Sequence, residues 1–375
     1  MWQFFSLPAT LLPLLWQVTT AATPGGACNN SPDLCSKTYD NVTHLGAHDS
    51  PFLRDSSTDF STAGNQFYNS TVQLDSGVRL LTAQVHAFNT SSGQDEWHLC
   101  HTDCLLLDAG KLSDWLSEIK TWMDVNPNDV VTVLLVNSDN GTPQDLDEQF
   151  SASGIKSYAY IPPSTTAPPT SGSWPTLGSL ISSNTRLMTF IASLDPSSNT
   201  VAPYLMDEFT FVFENPFEVT DATNFTCNPD RPSSVQNSPQ SAVQSDRMFL
   251  MNHFLDQSEA FGIDTPNVDA IADTNSPTLG TSGGLAQHMS DCAAVYGRSP
   301  NFALVDFSNV GPAMQSVDMV NGVQQAVGRT ILTTAVLQEA AVENGAARAN
   351  GRTGAEKRSQ FAFIVGFIVA IGLAS

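Results

Sequence analysis

Thr43-His44-Leu45-Gly46-Ala47-His48-Asp49-Ser50 is a short apolar run that stops abruptly at a histidine, an aspartate and a hydroxyl. A strand that ends in acid and base groups is how a parallel barrel delivers chemistry to its rim. Farther along the chain, Trp97-His98-Leu99-Cys100-His101-Thr102 ends in the same way, and Phe302-Ala303-Leu304-Val305-Asp306-Phe307 holds one carboxylate in an apolar run. Two histidines and a carboxylate at strand ends make a candidate acid/base set. His44, His86, His98, His253 and His288 read as packed or hydrogen-bonded side chains; of these His253, after the apolar run Phe249-Leu250-Met251-Asn252, is the first candidate addition to the site because it too sits at a strand's end.

A chain of 375 residues accommodates one (β/α)8 barrel of about 250 residues with processed ends. Apolar runs near 43–47, 78–86, 96–101, 130–136, 186–192, 209–213, 247–252 and 302–307 supply the strands. Between the third and fourth, Leu112, Trp115, Leu116, Ile119 and Met123 form the stripe of an amphipathic helix over 111–124, closed by Asn126-Pro127. A strand, helix, strand unit favours a parallel sheet. The Pro/Ser/Thr-rich stretch 162–175 reads as a loop, because the barrel series resumes after it.

Several motifs together resemble the catalytic half of phosphatidylinositol-specific phospholipase C. They are His48-Asp49-Ser50 after a glycine-containing strand, Gly77-Val78-Arg79-Leu80-Leu81 opening a second, and His101 followed by Leu112-Ser113-Asp114-Trp115-Leu116 and Asn126-Pro127-Asn128-Asp129-Val130-Val131. The resemblance runs from about Cys28 to Val323 and is to the secreted fungal group of phospholipase-C-like phosphodiesterases. It implies a single-domain α/β TIM-type barrel that cleaves a phosphodiester of a phosphatidylinositol-like lipid. By resemblance, His48 is the base that activates the inositol 2-hydroxyl and His101 is the acid that protonates the leaving oxygen, so that a cyclic phosphate forms first. Asp306 would hold His48 and Asp49 would hold His101, since a carboxylate partner fixes the tautomer and raises basicity. Gln84, Arg79 and His253 are the expected substrate or phosphate contacts.

The chain also departs from that pattern. Thr82 and Gln84 stand where bacterial members carry an aspartate and an arginine, and where calcium-dependent animal members carry acidic ligands. Should calcium serve, Asp49 and Gln84 are its candidate ligands; no other cofactor is implied. The lost charge implies a slower enzyme or another way of stabilising the transition state. Two other readings compete. One is a catalytically weakened surface barrel that binds a ligand or wall component; the other is a glycoside hydrolase with Glu208 or Glu214 as acid or nucleophile, which leaves the histidines idle.

The formal charge of −22 comes from 37 acidic and 15 basic residues. Such a surface repels nucleic acid and anionic membranes at long range, so a polyanion-binding role is disfavoured; the resemblance implies a phosphodiester lipid as the partner, and the chain is expected to be monomeric. The six cysteines form an even set in a chain read as exported. Several connectivities are open, with neighbours in sequence the expected pairs: Cys28 with Cys35, Cys100 with Cys104, Cys227 with Cys292. Asn-x-Ser/Thr sequons at Asn29, Asn41, Asn69, Asn89, Asn140 and Asn224 agree with export if they lie on exposed loops.

Residues 1–22 read as a cleaved signal peptide, and 23–325 as the barrel. Residues 326–360 read as a low-complexity linker, and 361–375 as an apolar tail too short to span a membrane. Small residues, a polar spacer and a terminal apolar tail are the layout of a glycosylphosphatidylinositol attachment signal, with Asn344-Gly345 the best site. The expected location is extracellular, either secreted or anchored at the cell surface.

Overall fold

The computed structural model describes residues 26–89, 95–197, 199–259 and 264–337. The expected leader at 1–22, the attachment site at Asn344 and Gly345 and the apolar tail at 361–375 lie outside the described residues, as does part of the Asn89 sequon. Among the described residues, no helix is long and apolar enough to cross a membrane.

The strands are β1 (His44–Ala47), β2 (Leu80–Asn89), β3 (Asp95–Cys100), β4 (Asp108–Lys111), β5 (Val131–Asn137), β6 (Leu187–Ala192), β7 (Leu205–Asp207), β8 (Val212–Glu214), β9 (Met248–Asn252), β10 (Asp256–Ser258), β11 (Asp264–Pro266) and β12 (Phe302–Val305). Eight of them form the barrel wall in the order β7-β6-β5-β2-β1-β12-β9-β8, every neighbouring pair parallel. The fold is therefore the expected single-domain TIM-type α/β barrel, left open at one seam. At β8 the place of a further strand is taken by Arg231, whose main chain exchanges hydrogen bonds with that of Glu214.

The two-residue period of the strands sorts the core into two layers. Leu80, Leu134, Met188, Phe190, Met206, Val212, Leu250 and Phe302 fill the barrel interior. Leu45, Leu81, Val133, Leu135, Phe249, Met251 and Val305 face outward and pack with Leu112, Trp115, Leu116, Ile119 and Met123 of the helix Leu112–Val125, which forms where the apolar stripe places it. Gly46 faces inward, where a Cβ would meet Leu304 and Leu80 side chains at 2.8–2.9 Å. Only a residue without a side chain lets β1 pass so close beneath the mouth.

Two expected strands differ from the observed ones. The run at 96–101 is no barrel strand: β3 folds back antiparallel on the far half of β2, with Val85 opposite Leu99 and His86 opposite His98. The link from Asn89 to Asp95 is too short for the crossover that a parallel neighbour needs. The run at 209–213 is not one strand: β7 ends before it at Asp207, a helical turn occupies Glu208–Phe211, and β8 begins only at Val212. The break has a local cause, because the Asp207 side chain accepts hydrogen bonds from Thr210 N and Oγ1 and starts the turn.

The three disulfides are the expected neighbours, Cys28–Cys35, Cys100–Cys104 and Cys227–Cys292. Asn41, Asn69, Asn140 and Asn224 are exposed, as a glycan requires. Asn29 is not: it is buried and accepts a hydrogen bond from Val130 N, so the exposed-loop expectation fails there.

Candidate active site

Parallel pairing brings the ends of β1 and β12 side by side, with Ala47 opposite Val305, and His48 N donates to Val305 O. The next residue on each strand points into the mouth. His48 Nδ1 shares a 2.9 Å hydrogen bond with Asp306 Oδ1, which fixes the tautomer and leaves Nε2 toward the opening. The imidazole lies flat on Phe254, ring centroids 3.8 Å apart and planes 7° from parallel. Burial works against a charge on His48, but Asp49, Asp306 and Asp256 overcome it and push the imidazolium up to about 9.

Asp49 lies between the two histidines. Its Oδ2 is 3.7 Å from His48 Nε2 and 3.5 Å from His101 Nε2. Thr82 Oγ1 accepts from Asp49 N, and Gln84 Nε2 donates to Asp49 Oδ2 at 2.7 Å. Gln84 Oε1 accepts from Thr102 N and so ties β2 to the loop that carries His101. His101 hangs over the mouth from the end of the returning arm β3, with its ring edge-on to Phe52. Burial lowers the His101 imidazolium; the attraction of Asp49 opposes this and the charge of His48 adds to it. The resting pair thus holds its proton on His48.

The structure brings together four of the expected site residues, His48, Asp49, His101 and Asp306, with Gln84 as a strut among them. Gln84 gives its oxygen to Thr102 N and one N–H to Asp49, so only its second N–H remains for a phosphate contact. Nor do Asp49 and Gln84 suit a calcium ion as a pair: Gln84 turns its N–H2, not its oxygen, toward Asp49, and divalent cations take oxygen ligands. Among the described residues, the one cluster of metal-ligating side chains is Cys227, His288 and Cys292, whose sulfurs are joined to each other.

Arg79 is not a substrate contact. It precedes β2, at the opposite end of the barrel, where it is buried and bonded to Asp129, Asn30 Oδ1, Leu74 O and Val78 O. Gln84 lies five residue steps farther along the extended chain, about 16 Å away. His253 is also off the site, for a reason of pleat. Leu250 faces the barrel interior and Met251 the outer layer, so His253 turns outward as well. It is fully buried, shares a 2.9 Å bond with His288 Nδ1 and donates from Nε2 to Thr274 O.

The glycosidase pair fails too. Glu208 and Glu214 are buried and hydrogen-bonded to each other, with Arg231 and Asn252 on Glu214. Two carboxyls in direct contact leave no room for a sugar between them, which requires roughly 5 Å or more.

Sequence reasoning missed four contributors. Asn65 Nδ2 donates to Asp306 Oδ1, and Gln66 Nε2 clamps His48 O and Val305 O together. They come from a loop without periodic pattern, and no local signal marks them. Phe254 was within reach, since the alternation that turns His253 outward turns its successor toward His48. Burial and the charge of Asp306 push the Asp256 carboxyl up to about 7, against the attraction of His48, which puts a third carboxyl near the pair.

The model of the PI-PLC X domain family matches residues 34–321. The chain is similar to PI-PLC X domain-containing protein 1 of Arthroderma benhamiae, 36% identical over 296 residues that span 79% of this chain and 89% of the relative. A second protein of that fungus, named an uncharacterized secreted protein, is 34% identical over 298 residues, 78% of this chain and 62% of its own length. Among solved structures, the phosphatidylinositol-specific phospholipase C of Listeria monocytogenes is 14% identical with a TM-score of 0.47, covering 77% of this chain and 94% of that one.

Proposed function

The chain belongs to the PI-PLC X family, and from that premise we propose that it is an extracellular phosphoric diester hydrolase or lyase, secreted or held at the cell surface, that cleaves a phosphatidylinositol-like lipid by two-histidine acid/base catalysis. The observation that carries the reading is the convergence of His48 Nε2 and His101 Nε2 on one Asp49 oxygen, with Asp306 behind His48. A hydroxyl next to the phosphorus loses its proton to one imidazole and attacks; the bond from phosphorus to the leaving oxygen breaks, and the other imidazole supplies that oxygen with a proton. His48 takes the base role and His101 the acid role. Because the resting proton sits on His48, the productive arrangement is the other one-proton form of the pair, reached by moving the proton to His101.

With Gln84 bonded to Asp49 and Thr102, the charge that other members place on this strand has no counterpart there, which supports a slow enzyme. Phosphorus NMR on phosphatidylinositol, with calcium or chelator present, tests the proposal. A cyclic inositol phosphate signal is expected in both arms, and His48→Ala and His101→Ala should each slow its formation by about 10²–10⁴-fold. No turnover of this lipid or of lysophospholipids would sink the catalytic reading and leave a barrel that binds its ligand without cleaving it.

A further inference from the structure

Among the described residues, one basic side chain is left unengaged. Every other lysine and arginine there donates to a carboxylate or to a main-chain carbonyl. The half-buried guanidinium of Arg54 has neither a hydrogen bond nor an ion pair. It lines a cavity of about 340 Å³ together with Asp59, Phe60, Gln257 and Asp269, a volume that suits a small ligand. Val268, Val336 and Leu337 supply an apolar wall. The segment that carries the last two is tied to the barrel, since Thr330 N donates to Asp75 O and Asn309 Nδ2 to Thr333 O. The cavity adjoins the acid/base set without belonging to it. Arg54 N donates to Gln66 O, Gln66 is the clamp on His48 O, and Gln257 follows Asp256, whose charge reaches His48.

The charges that line the cavity are of both signs and are not spent on each other. Asp59 and Asp269 are exposed, and neither has a hydrogen bond or an ion pair; the charge of Asp269 acts on Arg54 without pairing with it. Asp59 and Phe60 hold successive left-handed conformations, with φ of 51° and 55°, and Phe60 N donates to Asp55 O to fix the turn. An anion alone would meet two carboxylates in this cavity, and a cation alone would meet Arg54. A ligand that carries both signs satisfies all three groups. Guanidinium N–H groups without a protein partner suit a phosphate, which offers several oxygens, and carboxylates suit a primary ammonium, which has three protons to donate. A quaternary ammonium has none, and is held instead by a cage of aromatic rings, of which this lining supplies one, Phe60. We infer that the cavity is a subsite for a zwitterion of the phosphoethanolamine type, with its phosphate on Arg54, its primary ammonium on Asp59 and Asp269, and its carbon link against Phe60 and the wall of Val336 and Leu337.

Titration calorimetry of the purified protein with O-phosphoethanolamine tests the subsite without turnover, so a failure of the proposed phosphodiesterase reaction leaves it standing. Phosphoethanolamine is expected to bind at least about tenfold more tightly than inorganic phosphate, ethanolamine or phosphocholine. Arg54→Gln and Asp59→Asn/Asp269→Asn should each weaken it by at least about tenfold. The double variant should bind inorganic phosphate as well as the native protein or better, which a general loss of structure would not allow. His48→Ala should bind phosphoethanolamine as the native protein does. Glycerophosphoethanolamine distinguishes two sources of the same group: affinity equal to that of phosphoethanolamine supports the subsite with a lipid-type diester headgroup as its ligand, and weaker binding supports it with the free monoester. Absence of phosphoethanolamine binding overturns the subsite, as does inorganic phosphate or phosphocholine binding equally well. Binding lost in His48→Ala but kept in Arg54→Gln overturns it too, since the ligand would then lie between the histidines.

Discussion

Asp49, Thr102 and Phe307 take left-handed backbone conformations, with φ of 45°, 61° and 42°, each directly after His48, His101 and Asp306. For residues other than glycine this costs on the order of 1–3 kcal/mol apiece, and such strain collects where a side chain must be aimed. The sharp turn ends each run at the residue that faces the mouth. The aim shows in the titration of the pair. One proton is shared by His48 and His101 between the lowered value of His101 and about 9 for His48. The profile of kcat/KM is therefore expected to be flat between those limits and to fall above about pH 9, whichever histidine holds the proton in the productive form. Asp306→Asn removes a charge that raises His48, so the alkaline limb should move down toward the ordinary histidine range while the rate drops by on the order of 10²-fold or more. A limb that stays near pH 9 in this variant would mean that Asp306 does not govern His48.

The returning arm formed by β3 and β4 (Asp108–Lys111) separates catalytic need from fold stability. Cys100–Cys104 closes a loop of sequence separation 4 beside His101, whereas Cys227–Cys292 closes one of separation 65 between the loop after β8 and the helix Leu285–Tyr296. In the chain-entropy account these are worth about 2 and about 4 kcal/mol respectively. Replacing Cys100 and Cys104 with serine should shift the denaturant midpoint only about half as far as loss of the longer loop does, yet lower kcat, because the loop that aims His101 loosens. Replacing Cys227 and Cys292 should do the reverse. Equal losses of stability in the two double variants would contradict this division of labour.

Across the whole molecule, the buried imidazoles that play no part in the chemistry set the acid limit of stability. Burial, the neighbouring His288 and, in opposition, the Thr274 carbonyl leave His253 at about 3; burial, opposed by the Thr226 carbonyl, leaves His288 at about 4. An unfolded histidine titrates near 6.5, so the unfolded chain binds more protons below that value. The contribution of this pair is present above about pH 6.5 and is lost as the pH falls through the range down to 4 and 3, by on the order of 3 kcal/mol per fully buried ring. His253→Gln/His288→Gln should flatten the fall of the unfolding midpoint between pH 6.5 and 4, and an unchanged slope would assign acid sensitivity to His44, which burial likewise lowers to about 4, or to the carboxylates.

The barrel, the helix over 112–125, the two closely spaced cysteine pairs and the four residues His48, Asp49, His101 and Asp306 were legible in the sequence, because apolar periodicity, short spacing and strand-end motifs are local properties of the chain. The fates of Arg79, His253, Gln84 and the Glu208–Glu214 pair were not. Which end of a strand a side chain occupies, which face it turns and which distant group has already taken its hydrogen bonds follow from how parallel strands align across the barrel, and that alignment joins residues as far apart as Ala47 and Val305.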